Sequence, residues 1–450
     1  MISDALGIFP RLCQQLSDAV FRKTKGNPFF ALEFLNSLVA RGLLQYSFRE
    51  RRWIWDYDKI IDENITDNVL HLLSAKMISL SENQQTALKV ASCFGMKVEK
   101  NIVTQLSAAS QYSTFQQELE HAVCEGFMDK NESCYTFIHD KVREAAYSLI
   151  GDAERGKNHY SIGMLLYNSS KGQDIGDMLF VIANQINLGQ CASIEHHAHR
   201  ICIAELNCKA ASRAMSRSNF NAAHHYSNVA AELLPVKHWE NYYELSRHIF
   251  LLLGNAAYVC GCMDDATDAL NAVLSKGSCL EDKLDAYTVM ISLQQARQGP
   301  SKAYETCLEV LSQLGEEVPT SLEPERLLTM VSDLQDTLSA ITDEQLLEMK
   351  ETDIKTHYSV MQFYTEICFL SYFVRPKMMH YFASKMVDLT LKYGVCKYSA
   401  MCFAQYGMML GGNLAKDIQS GCRYGKIALS LLKRFDAVDQ IPSVYLCNYG

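Results

Sequence analysis

Apolar residues recur at helical spacing along most of the chain, and the exceptions mark its organisation. Over residues 10–22, Leu12, Leu16, Ala19 and Val20 fall on one face and predict a helix. The tripeptide Gly26-Asn27-Pro28 then interrupts it, because proline lacks an amide hydrogen and disfavours helical geometry in the residue before it. Pro28 in a first turn launches a second helix, Phe29 to Ala40, closed by Gly42. "LLQYS" and "RRWIWDY" instead alternate with period two, which predicts a small hairpin with Trp53 and Trp55 on one side of a strand.

From Thr66 onward the helical period returns. "TDNVLHLLSAKMISL" and "SENQQTALKVASCF" are amphipathic helices opened by the caps Thr66 and Ser81. "VEKNIVTQLS" and "STFQQELEHAVCEGF" predict two more short helices. "FMDK" and "CYTFIH" flank a polar turn at Asn131 to Ser133 and read as a two-stranded wing, followed by the helix "HDKVREAAYSLI". Three helices and then a hairpin is winged-helix order. Beyond about residue 160 only helices are predicted. In "SNFNAAHHYSNVAAELLP", "GCMDDATDALNAVLSKG" and "QGPSKAYETCLEVLSQLG" a turn is followed by alanine at one fixed place: Ala223, Ala266 and Ala303. "DIQSGCRYGKIALSLLKRF" resembles a fourth copy. Small residues at helix crossings let antiparallel pairs approach, so this reads as an irregular solenoid closest to tetratricopeptide repeats. The fold class is therefore mostly α, with a winged helix followed by a helical-repeat solenoid.

Composition changes this picture little. The 8 Pro and 23 Gly among 450 residues are few, as a helical chain requires. A net charge of −9 opposes phosphate backbones and makes nucleic acid an unexpected partner. The helix expected to enter a DNA groove, Ser113 to Glu125, carries Glu118, Glu120 and Glu125 and no Lys or Arg, which weighs against a transcription regulator. The 16 Cys are dispersed without a Cys-x-x-Cys pair, the pattern of reduced thiols in a cytoplasmic protein. The start has no basic flank of a signal peptide, and the longest apolar stretch, broken by Asn255, is too short to span a bilayer; no membrane association is expected. "YLCNYG" closes mid-pattern, so the sequence is expected to be cut from a longer chain.

The candidate chemistry is incomplete. Arg22, Lys23 and Lys25 beside Gly26-Asn27-Pro28 fit either a helix-loop-helix corner or a nucleotide lid, with an anion facing the second helix and Pro28 against a base. No phosphate-binding loop of the form Gly-x-x-x-x-Gly-Lys-Ser/Thr occurs. Trp53 and Trp55 beside Arg49, Arg51 and Arg52 fit cross-strand packing better than base stacking. "FIHDKVREAA" faintly resembles the phospho-accepting helix of histidine kinases, but His139 and Asp140 as a helix cap is the simpler reading. His196, His199, His224 and His225 lack the spacing of a zinc finger, and no metal, catalytic nucleophile or nucleophile–base pair is assigned.

Taken in order, "RKTKGNPFFALEFLNSLVARGLL", "RWIWD", "ITDNVLHLLSAKM", "FIHDKVREAAYSLI", "ANQINLGQ" and "CRYGKIALSLLKRF" resemble the region that follows the nucleotide-binding core of STAND-class, AAA-like signalling ATPases. These belong to giant multidomain kinases in which a serine/threonine kinase-like domain precedes the ATPase, and repeats, a GAF domain and a histidine kinase often follow. The resemblance implies a helical lid remnant with hairpin over 1–60, a winged helix over 61–160 and repeats over 161–450. It implies that Gly26, Asn27 and Pro28 form the family's Gly-x-Pro motif, whose proline touches the adenine of ADP, with Lys23 and Lys25 beside it. ATP or ADP would then be a ligand only with a core N-terminal to Met1. Protein partners or a small effector would bind the repeats, kinase domains would take the output, and activation would bring assembly. A stand-alone helical-repeat scaffold is the rival reading.

Overall fold

The computed structural model describes residues 1–24, 26, 28–62, 69–170, 176–189, 197–412 and 417–449. The fold is mostly α with helical repeats, and it divides into two compact units, Met1–Ile203 and Ala204–Gly450. No helix among the described residues is long and apolar enough to cross a membrane.

The first unit opens with α1 (Ile2–Leu6), a 3-10 turn (Pro10–Leu12), α2 (Gln14–Thr24) and α3 (Pro28–Ala40). A hairpin follows, β1 (Leu44–Ser47) with β2 (Arg52–Trp55), and then α4 (Tyr57–Asp62). The helix expected over 10–22 is thus divided. Leu12 lies in the 3-10 turn and is 65% exposed, while Cys13 takes the buried position that continues the stripe of Leu16 and Val20. Phe34, Leu38, Leu44 and Ile60 close this small core, each fully buried aliphatic or aromatic side chain contributing roughly 1.5–3 kcal/mol. Trp53 and Trp55 share one face of β2 as expected. Trp53 donates its indole N–H to Leu6 O at 2.9 Å and packs edge-on against Tyr46, its cross-strand neighbour. Arg49, Arg51 and Arg52 stay exposed.

Next come α5 (Val69–Ile78), α6 (Glu82–Ser92), β3 (Lys97–Glu99), α7 (Lys100–Ser107), α8 (Phe115–Cys124), β4 (Met128–Lys130), β5 (Cys134–Phe137) and α9 (Asp140–Ser148). Thr66 lies outside the described residues. Ser81 caps α6 through a reciprocal pair: its hydroxyl accepts from the Gln84 amide, and the Gln84 side chain accepts from the Ser81 amide. The hairpin forms as expected, β4 pairing with β5, its turn held by Asn131 Oδ1, which accepts from the amides of Ser133 and Cys134. The segment "VEKNIVTQLS" is not all helix. Lys97–Glu99 adds a third strand, giving the antiparallel order β3-β5-β4. A strand of three residues with one buried side chain, Val98, leaves no alternation to detect. Helices α10 (Asp152–Ser169) and α11 (Met178–Leu188) complete the unit.

Helix α12 (His197–Ser216) includes the division between the units. Then follow α13 (Phe220–Leu233), α14 (His238–Asn241), α15 (Tyr243–Cys260), α16 (Met263–Lys276), α17 (Glu281–Gln298) and α18 (Pro300–Gln313). The chain continues with α19 (Pro324–Ser339), α20 (Asp343–Leu347), α21 (Lys355–Val374), α22 (Pro376–Tyr393), α23 (Ser399–Gly411), α24 (Ile418–Arg434) and α25 (Ile441–Tyr449). From α15 to α18 each helix packs on the next, and the same holds from α21 to α25, with α18 on α21. Ala223, Ala266 and Ala303 are each the fourth residue of their helix and each is fully buried, as the small-residue pattern requires. The fourth copy has Gly421 at that position in α24.

One polar clamp joins the start of α15 to the start of α17. Tyr243 donates its hydroxyl to Asp282 Oδ2 at 2.6 Å and accepts from the Ser278 amide at 2.7 Å. The Tyr243 hydrogen bond, more than any other contact, holds the Asp282 carboxyl down at about 2. A carboxylate depressed in the folded state stabilises above its unfolded pKa, near 4, and that contribution is lost as pH falls toward 2. Tyr243→Phe should therefore lower the melting temperature at pH 7, and its deficit against the wild type should shrink in melts between pH 4 and pH 2.

Candidate functional site

Helix α2 ends at Thr24 and α3 begins at Pro28, so three residues, 25–27, separate the two helices and the proline of Gly-Asn-Pro opens the second. Gly26 has φ of +79°, the left-handed region, and a Cβ there would lie 2.8 Å from Cε2 of Phe21. Any other residue would be strained in backbone and would push the Phe21 ring. Pro28 is exposed at the first helical position, where its missing amide costs no hydrogen bond. Lys25 and Asn27 lie outside the described residues. Arg22 is exposed, whereas Lys23 is half-buried and donates its ammonium to Ile61 O at 3.2 Å, serving a carbonyl in the last turn of α4. The structure thus brings Gly26, Pro28 and Lys23 to one corner.

Two residues beyond Pro28, Phe30 meets His139, their ring centroids 5.8 Å apart at 55°. His139 is the N-cap of α9: its Nδ1 accepts from the Lys141 amide at 3.1 Å, and Asp140 Oδ1 accepts from the same amide at 2.8 Å. The capping reading of "FIHDK" is what the geometry gives. Removing a side-chain cap costs about 0.5–2 kcal/mol. His139→Ala should therefore lower stability by about 1 kcal/mol in denaturant melts, and His139→Asn, which can still cap, should recover most of it.

Behind this contact runs a buried polar chain. Tyr147 Oη is 3.0 Å from His159 Nε2, His159 Nδ1 is 2.7 Å from Gln185 Oε1, and Gln185 donates to Cys93 O at 2.8 Å. His159 and Gln185 are almost wholly buried, so each bond satisfies a group that water cannot reach. The chain ties α9, α10 and α11 to the end of α6. Gln185 belongs to "ANQINLGQ", but its role lies beyond the sequence reading. The available signal was polarity inside an apolar stripe: His159 shares a face with Ile162 and Leu166, and Gln185 lies between Ile182 and Ile186.

The acids of α8 are engaged with the protein. The helix runs Phe115–Cys124, shorter at both ends than Ser113 to Glu125. Glu118 is buried beside His121, and Glu120 accepts 2.5 Å hydrogen bonds from Lys130 of the wing and from the Tyr135 hydroxyl. The Lys130 bond, followed by the Tyr135 bond, holds the Glu120 carboxyl below its ordinary range. A negative helix face with the wing's lysine already paired is poorly suited to a phosphate backbone. His196 lies outside the described residues, His199 and His225 are exposed, and His224 is half-buried.

Fold and site together define a mostly α, helical-repeat chain whose N-terminal corner contacts the helix after a three-stranded antiparallel sheet. No protein-family model matches it. Over 513 aligned residues it is 21% identical to Hybrid signal transduction histidine kinase G of Dictyostelium discoideum. The alignment takes in 97% of this chain and 15% of the kinase, so the chain spans a small part of the curated relative it matches.

Proposed function

We propose that this chain is a cytoplasmic regulatory segment of a multidomain signal-transduction ATPase-kinase, without a complete catalytic site of its own. Residues 1–60 are the lid of a STAND-class ATPase, 61–160 a winged helix and 161–450 tetratricopeptide-like repeats. The observation that carries this reading is the collinear match of nearly the whole chain to a segment of a hybrid histidine kinase. The apposition of Phe30 and His139 supports it, because it gives the lid helix a direct contact with the helix after the wing. In this reading Gly26, Asn27 and Pro28, with Lys23 and Lys25 nearby, close over ADP or ATP held by a core elsewhere in the protein. A change of nucleotide moves the lid, the Phe30–His139 contact passes that movement to the winged helix, and a protein or small effector on the repeats biases the same equilibrium. Kinase domains of the parent protein take the output, and assembly accompanies activation.

One observation favours the rival scaffold reading for part of the site: Lys23 donates to Ile61 O, a contact that joins α2 to α4. The two readings separate in the full-length protein. Pro28→Ala should weaken ADP binding in calorimetry if the turn is a lid, with Lys23→Ala acting through the position of α4. Unchanged ADP affinity in Pro28→Ala would leave the turn as a corner and the chain as a scaffold. The winged helix should not retard duplex DNA even at low salt.

A further inference from the structure

The second unit holds a side-chain group with no part in the site above. His224 on α13, Cys262 at the N-cap of α16 and Asp265 in the first turn of α16 present an imidazole nitrogen, a thiol and a carboxylate. Their donor atoms all lie within 4.8 Å of one another. His224 Nε2 is 3.5 Å from Asp265 Oδ2 and is buried with no hydrogen-bond partner among the described residues. Cys262 is the N-cap of a helix of 14 residues. Cys260, two residues earlier, donates its thiol to Asn221, with Sγ 3.3 Å from Oδ1.

From this geometry we infer a divalent-metal site made by His224, Cys262 and Asp265, suited to Zn²⁺. One nitrogen, one sulfur and one oxygen donor match the ligand preferences of zinc, whereas Ca²⁺ and Mg²⁺ take oxygen. Three protein ligands leave a fourth, tetrahedral position for water. On binding, the Cys262 S–H proton leaves to solvent and a sulfur–zinc bond forms, with no change of oxidation state. The unpartnered His224 nitrogen is thereby satisfied, and α13 is fastened to the turn between α15 and α16. Both α13 and α16 pack on α15, so the metal acts as a clasp on the repeat stack.

The rival description is a surface ion pair of His224 with Asp265, which needs neither metal nor Cys262. Titration of the reduced full chain with Co²⁺, a spectroscopic stand-in for Zn²⁺, separates the two. The site should give a near-ultraviolet thiolate-to-cobalt band saturating at one equivalent, displaced by Zn²⁺. Cys262→Ser should abolish that band. His224→Gln and Asp265→Asn should weaken Co²⁺ binding by about tenfold or more, the scale reached by losing even outer-shell partners. His225→Ala, at an exposed neighbour, should leave it unchanged. Melts in chelator should show each variant folded as the wild type is. A band that survives in Cys262→Ser, the absence of any band, or equal affinity in His224→Gln would overturn the assignment.

Discussion

Gly421→Ala should destabilise the second unit by about 1–3 kcal/mol, the usual cost of overpacking, although alanine is the better helix former by about 1 kcal/mol. The reason is what a Cβ would meet. At Gly421 it would lie 2.8 Å from Gly407 O and 3.2 Å from Gly411 N, and at Gly407 it would lie 2.8 Å from Gly421 O. These neighbours are backbone atoms of the facing helix and cannot rotate aside, so α23 and α24 must part. Their separation would strip contacts from Tyr406, Phe403 and Tyr424, which are buried around the crossing. Gly425 supplies the control. Its Cβ would meet Asn448 Oδ1 at 2.7 Å, the end of a side chain that can swing away, so Gly425→Ala should be close to neutral. Chemical denaturation of the three proteins checks this. A Gly421→Ala protein more stable than the wild type would mean that helix propensity, and not the crossing, governs the position.

Phe34→Ala carries the second large effect. Truncating a buried phenylalanine costs about 3–5 kcal/mol, and Phe34 packs in the small core made by Leu16, Val20, Leu38, Leu44 and Ile60. A core of this size has little stability in reserve, since whole domains hold only about 5–15 kcal/mol. Hydrogen exchange should lose protection over α2, α3 and the β1–β2 hairpin. The second unit, with its own core around Phe363, Phe382 and Phe403, should keep its protection. Uniform loss across both units would refute the independence of the N-terminal core.

Much of the architecture was legible because burial here follows short-range period. The wing turn, the Ser81 cap, the shared face of Trp53 and Trp55, and the alanines at 223, 266 and 303 each depend on neighbours a few residues away. Where the reading departed, a local cue was absent or misleading. Leu12 fitted a helical stripe, but Pro10 starts a 3-10 turn, and the rotation moves Cys13 into the core instead. Lys97–Glu99 joins its sheet through pairing with β5, nearly forty residues onward, which no window along the chain contains. Gly421 was passed over because the repeat was read as a pattern of alanine, whereas the crossing selects for small size.

The candidate site was legible as motifs and not as a constellation. Gly26 and Pro28 announce a turn by their own chemistry, and His139 with Asp140 announces a cap. That Phe30 should lie against His139, and that His159 and Gln185 should share a buried hydrogen bond, follows from packing between distant helices. Lys23 shows the limit from the other side. Its hydrogen bond to Ile61 O joins two helices and is not marked by charge along the chain.

The central proposal is that nucleotide state reaches the wing through the Gly26–Pro28 corner. Hydrogen exchange of the full-length protein with and without saturating ADP addresses it most directly. Protection should rise together over residues 21–44 and 139–148 when ADP is added, and Phe30→Ala should keep the first change while losing the second. Full exchange profiles that are identical with and without ADP across both segments would contradict it.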